Sequence, residues 1–145
     1  MANVHKDFHG ALSFGVQYLQ DNYGRDAMEE YLRTAGLAVY KPLIDALKED
    51  GLCALAAHWA RIFTLEEGDF DLSFRDGRLV LRVNKCPAIH HMKTVNYRVA
   101  DRFCETTRII NEEICHAAGY ECSTTYDQAS GSCVQEFWRP EGGGD

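Results

Sequence analysis

The spacing of apolar residues changes period once, near residue 69, and that change limits what the chain can fold into more than any other feature. Phe70, Leu72 and Phe74 alternate with Asp69, Asp71 and Ser73, and Leu79, Leu81 and Val83 alternate with Arg78, Val80 and Arg82. Successive side chains of a strand point to opposite faces, so each run carries one apolar face. Between the runs stands Asp76-Gly77, a pair that accepts the positive φ angles of a tight turn. The two runs predict a β-hairpin in which each strand has one apolar face.

Before the hairpin the period is helical. Phe8, Leu12, Val16 and Leu19 recur at helical spacing from His5 to about Tyr23, where Gly24 supplies a stop. A second helix runs from Arg25 through Gly36 and past Lys41, and Pro42 is expected to kink it or to open a new helix after Tyr40. A third spans Leu52 to Leu65 and ends before Glu66-Glu67-Gly68. After the hairpin, Cys86-Pro87 opens a long helix, since proline suits a first turn, and Gly119 caps it after Ala118. Ile89, Met92, Val99, Phe103, Ile110 and Ile114 share one face of it at about 100° per residue. A break is expected near Lys93-Thr94-Val95-Asn96, where β-branched residues lower helix propensity. Tyr120, Cys122, Thr124 and Tyr126 then alternate up to the turn-rich 127–131, and Ser132 to Trp138 returns as a second hairpin strand with Cys133, Gln135 and Phe137 on one face.

The fold class is therefore α+β: N-terminal helices, a β-hairpin, a long helix that breaks, and a second β-hairpin, with an antiparallel sheet packed against helices. The 145 residues suit a single domain, 46% of them hydrophobic and 26% charged. Its expected extent is 1–140, followed by a disordered glycine-rich tail over 141–145. A formal net charge of -7 repels a polyanion and excludes nucleic acid as the natural partner. The polar start Met1-Ala2-Asn3-Val4-His5-Lys6-Asp7 is unlike a signal peptide, and no 18-residue apolar run occurs, so the expected location is the cytoplasm and a membrane partner is excluded.

In that compartment six cysteines (Cys53, Cys86, Cys104, Cys115, Cys122, Cys133) read as thiols for ligation or catalysis, or as small buried apolar groups. Cys104 and Cys115 stand about 16 Å apart along an unbroken helix and cannot share one ion. Cys86 and His90, four residues apart at a helix start, face the same way. Backbone N–H groups and the helix dipole at that start favour a thiolate, which makes Cys86 the leading reactive or ligating cysteine. On one unbroken helix, His90, Tyr97, Cys104, Arg108 and Cys115 would form a stripe beside the apolar face. One reading is a pocket wall with Arg108 forking a substrate carboxylate, Tyr97 beside it, and Cys104 or His90 acting nearby. The other is a boundary stripe in which cysteine packs and arginine is solvated. Cys122 and Cys133 are candidates for cross-strand neighbours in the last hairpin. His116 suits a helix C-terminus, and His5, His9 and His58 read as surface or satisfied core residues. No GxGxxG, P-loop, HExxH or GxSxG occurs.

The run Val83-Asn84-Lys85-Cys86-Pro87, the helix carrying Cys104, the Gly119 break and a final strand opening on Cys133 resemble the L-2-amino-thiazoline-4-carboxylic acid hydrolase family over about residues 79–138. Cys86, Cys104 and Cys133 match the family's pattern, whereas Gln135 stands where an aromatic or aliphatic residue is expected. The resemblance implies a hydrolase that opens a cyclic amidine to an N-carbamoyl amino acid. Cys86 and Cys104 then serve in catalysis with His90 as acid/base, or Cys86, His90 and Cys133 ligate a divalent metal, zinc, manganese or iron. The element order also resembles the four-vinyl-reductase-type small-molecule-binding domains and the related vesicle-tethering subunit fold, which implies a homodimer with an internal pocket and no catalysis. A purely structural dimerisation module is the third reading.

Overall fold

The computed structural model describes residues 5–141, and of the tail expected at 141–145 all but the first residue lie outside the described residues. Among the described residues six helices and four strands follow the order α1 (Phe8–Tyr23), α2 (Arg25–Val39), α3 (Lys41–Asp50), α4 (Leu52–Leu65), β1 (Asp69–Arg75), β2 (Arg78–Lys85), α5 (Pro87–Thr94), α6 (Phe103–Ala118), β3 (Glu121–Asp127) and β4 (Ser132–Trp138). The α+β class is as expected from the sequence. Asp76 and Gly77 take φ of 53° and 77° and close the first hairpin as that dipeptide should. The single sheet is antiparallel in the order β1-β2-β4-β3, so the hairpins meet along their second strands, with Leu79 opposite Phe137 and Val83 opposite Cys133.

Each helix ends for an identifiable reason. Pro42 stands in the first turn of α3 and opens it as a separate helix. At the end of α4, Glu67 takes a left-handed φ of 60°. The Gly68 N–H then donates to the Phe63 carbonyl and the Glu67 N–H to that of Thr64, the paired closure of a Schellman motif. Gly119 at φ 83° ends α6 in the same manner, with the Tyr120 N–H on the Cys115 carbonyl at 2.7 Å. The break expected near 93–96 is present and wide: residues 95–102 leave the helical path, with Asn96 at φ 62°. The stripe of His90, Tyr97, Cys104, Arg108 and Cys115 therefore does not exist, because its members belong to two helices and the loop between them.

Burial divides into two clusters. One joins Leu43, Ile44 and Leu47 of α3, Leu55 of α4 and Ile114 of α6 to Leu79, Leu81, Val83 and Phe137 of the sheet. The other joins Val16, Met28 and Leu32 of α1 and α2 to Ile89 and Met92 of α5 and to Phe103 and Ile109 of α6. Cys86 and Ile110 border both clusters. Where α2 crosses α6, Gly36 faces Ile110, which a Cβ there would meet at 3.6 Å, an ordinary packing distance. The cavities described next lie along this seam.

Candidate functional site

Phe8, His9 and Leu12 of α1, Trp59, Ile62 and Phe63 of α4, Cys86 and Ala88 at the head of α5, and Phe103 and Ile110 of α6 surround a cavity of about 200 Å³. A recess of about 50 Å³ adjoins it beneath the sheet, lined by Cys86, Cys104, Thr124, Tyr126 and Cys133. Phe63, Cys86, Phe103, Thr107 and Gln135 line both spaces. The main cavity is apolar apart from a few polar groups. His9 Nε2 and Glu66 Oε1 meet at 2.5 Å, both residues buried. Asn111 Nδ2 donates to Gln135 Oε1 at 2.8 Å. The Trp59 indole N–H is buried with no hydrogen-bond partner among the described residues, as is the Thr124 hydroxyl beside the recess.

The structure brings Cys86, Cys104 and Cys133 to one recess, although they come from a strand-to-helix junction, a helix and a strand. Their chemistry differs from the expectation. Cys86 does stand at the N-cap of α5, and the N–H groups of Ile89 and Ala88 pull its thiol pKa downwards as the dipole argument requires. Burial acts in the opposite direction and is the larger effect, so the Cys86 thiol ends above its ordinary value. Burial also pushes Cys104 up to about 12, with the neighbouring Cys86 and Cys133 adding to the shift. Cys133 is raised by burial as well, against a hydrogen bond from Gln135. At neutral pH all three are thiols, and a thiol is a poor nucleophile. Alkylation of the native protein with iodoacetamide near pH 7.5 should therefore label Cys53, which is exposed, at least about tenfold faster than Cys86, Cys104 or Cys133. Peptide mapping by mass spectrometry reads the order, and a Cys86 that labels as fast as Cys53 would restore the thiolate reading.

The other sequence-derived candidates do not join these thiols. His90 is exposed and does not line either space, because the helix that carries it turns Ile89 and Met92 inwards instead. The Arg108 guanidinium is already committed: it donates to both Glu105 oxygens at 2.8–3.1 Å and to Glu112 at 2.7 Å. The Tyr126 hydroxyl completes that network on Glu105 at 2.6 Å. A fork already filled by two carboxylates is not available to a substrate. Tyr97 lies elsewhere, donating to Asp7 at 3.2 Å and lining a groove of about 620 Å³ along α1 with Phe14 and Tyr18. Among the described residues no three His, Cys, Asp or Glu side chains are grouped to hold a metal ion, so Cys86, His90 and Cys133 do not fit the divalent site expected of them. Cys122 faces Phe137 rather than Cys133 across the hairpin. It instead meets Cys115, whose thiol is raised by their hydrogen bond and by burial.

His9 and Glu66 were not legible as a pair, since 57 residues separate them. Each still left a signal. His9 falls at helical spacing from Leu12 and Val16, and Glu66 at helical spacing from Trp59, Ile62 and Phe63, so both stand on apolar stripes where an ionisable group is unusual.

No helix among the described residues is long and apolar enough to cross a membrane. No family model matches the sequence, and no curated protein matches it. The chain is similar in structure to a trafficking protein particle complex subunit 3 from Naegleria fowleri, solved covalently bound to palmitic acid, with a TM-score of 0.53 and 13% identity over 94% of this chain and 98% of that one. This finding overturns the expectation of a hydrolase that opens a cyclic amidine, because the shared fold is that of a trafficking subunit, and the dispersal of His90 and Arg108 from the thiols removes the acid/base and the carboxylate fork that the reaction needs.

Proposed function

We propose that this chain is a non-catalytic small-molecule-binding domain that acts as a homodimer. The observation that carries the reading is the cavity at the seam of the two cores, apolar in its walls with a few polar groups inside, which is the usual composition of a ligand site. The raised thiols leave no poised nucleophile beside it. The likeness in fold to a trafficking subunit solved with a bound acyl group supports the same reading. The neighbour's covalently bound palmitic acid makes a long acyl chain one candidate ligand. The size of the space argues for something shorter, since about 200 Å³ lies below the ~300 Å³ at which ordinary ligand pockets begin.

Dimerisation is supported by α1. Phe14, Tyr18 and Tyr23 are 73%, 49% and 67% exposed and touch in series, with ring centroids 6.3 and 6.4 Å apart. Contiguous exposed rings of this kind mark interaction surfaces. They carry no charge, so they form a place where two copies of a chain with net charge -7 can meet without repulsion at the contact.

The test is thermal denaturation of the full chain against a panel of small amines, carboxylates, phenols and palmitate, together with native mass spectrometry of the freshly purified protein. A true ligand at a hundred times its dissociation constant adds about 2.7 kcal/mol, which for a domain of this size raises Tm by about 5–11 °C. If no compound in the panel shifts Tm and nothing is retained through purification, the binding function is wrong.

A further inference from the structure

We propose that the seam cavity takes a small organic cation, an alkylammonium, held by the Glu66 carboxylate between the rings of Phe8, Tyr40, Trp59 and Phe63. The inference rests on reading this cavity as the ligand site and names the chemistry it selects.

Glu66 is 8% exposed and ends α4 where the chain turns at Glu67. A buried carboxylate is costly unless it is compensated, and its one hydrogen-bond partner among the described residues is His9. An ionised carboxylate offers about four lone-pair sites, so most of its accepting capacity is unspent. No lysine or arginine lines the space. The field of Glu66 is felt there: its charge raises both the Tyr40 hydroxyl and the Cys86 thiol, adding to the effect of burial at each. Glu66 is the one carboxylate of this lining and no lysine or arginine stands opposite it, so the cavity favours a cation over a fatty carboxylate.

The walls favour the same class of ligand. The Trp59 and Phe63 rings lie 6.2 Å apart at 57°, and Phe8 packs against the His9 ring with centroids 3.9 Å apart. Aromatic faces carry negative quadrupole charge and attract an ammonium within about 6 Å, most strongly when it is desolvated. A carboxylate flanked by several such rings matches an alkylammonium in both charge and shape, and the roughly 200 Å³ volume admits an alkyl chain of a few carbons. The apolar lining from Leu12, Ile62 and Ile110 would cover that chain.

Isothermal titration of the full chain with n-butylammonium, 1-butanol and butyrate, three probes of nearly equal size, decides the matter. Butylammonium should bind saturably and at least about tenfold tighter than the neutral alcohol, with butyrate weaker still. Glu66→Gln keeps the shape and an acceptor for His9, and should weaken butylammonium at least about tenfold, the scale of one charge-assisted hydrogen bond, while leaving butanol unchanged. Should Glu66→Gln fail to fold, Trp59→Leu replaces it and should weaken the ammonium more than the alcohol. Butanol or butyrate binding as tightly as the amine, or a folded Glu66→Gln that binds the amine normally, overturns the proposal while leaving the cavity a site for neutral or acidic compounds. Absence of binding by every probe here and in the wider panel overturns both this inference and the ligand-binding function itself.

Discussion

Replacing Phe137 with alanine is expected to lower the free energy of unfolding by about 3–5 kcal/mol, the range for removing a buried aromatic ring. Phe137 is 0% exposed and stands on the inner strand β4, opposite Leu79 on one side and Cys122 on the other. It belongs to the cluster that joins the sheet to Leu47, Leu55 and Ile114. Neighbours on both flanks are fixed by ladder hydrogen bonds, so the void cannot collapse easily, which places the cost high in that range. Against a typical total of ~5–15 kcal/mol the loss is a large fraction. Phe74→Ala is the internal control: its ring is 58% exposed on the edge strand β1, and its removal should change stability by no more than about 0.5 kcal/mol. Urea unfolding measures both, and a shift in midpoint without a change in m assigns the difference to the folded state. A Phe137→Ala loss under about 1 kcal/mol would mean that the sheet does not pack against α3 and α4 in this way.

The same strand shows why the fold was legible and the site was not. The alternation that places Phe137, Gln135 and Cys133 on one face is written in consecutive residues. So are Asp76-Gly77, Pro42 and Gly119, each of which forces a local backbone state. Those signals located both hairpins and nearly every helix boundary. The long helix after Cys86 was read only in part: its break falls where expected, near 93–96, but the extent of the non-helical stretch was not legible. Its apolar face continued across Val95 and Val99 at nearly helical spacing, while Asn96, which takes a left-handed φ, gave only a weak propensity signal. Once the helix is read as continuous, His90, Tyr97, Cys104 and Arg108 line up on paper. Once it breaks, they scatter.

Titration behaviour was less legible still, because it depends on which of two local effects is larger. At Cys86 the helix-start N–H groups were foreseen and are present, but burial among Phe63, Phe103 and Pro87 outweighs them. Burial depends on segments distant in sequence, and so does the His9–Glu66 pair. Arg108 followed the same rule in reverse. Its carboxylate partners were close in sequence, at Glu105 and Glu112, where i,i+3 and i,i+4 spacing on a helix makes pairing the default. That local pattern argued against a free fork before any fold was known.

Replacing Phe14 with aspartate should convert a dimer into a monomer, with dimerisation weakened at least about 30-fold, the equivalent of one hot-spot residue of about 2 kcal/mol. The side chain is 73% exposed, so the folded monomer loses little by the change, about 0.5 kcal/mol or less. Any larger effect must come from the association. Two copies meeting through α1 would bury Phe14, Tyr18 and Tyr23 together, and a carboxylate at position 14 would then be desolvated against an apolar partner and set opposite its own symmetry mate. Sedimentation velocity at micromolar concentration reads the result, with unchanged circular dichroism and Tm confirming that the fold persists. Leu37→Asp on α2, also exposed at 44% but outside the ring series, should leave a dimer intact and so separates a specific interface from general stickiness. A wild-type chain that sediments as a monomer throughout this range removes α1 as a self-association surface. The exposed rings that border the groove holding Tyr97 would then belong to contact with a different protein, while the ligand cavity on the inner side of α1 would be unaffected, because Phe8, His9 and Leu12 face away from that contact into the seam.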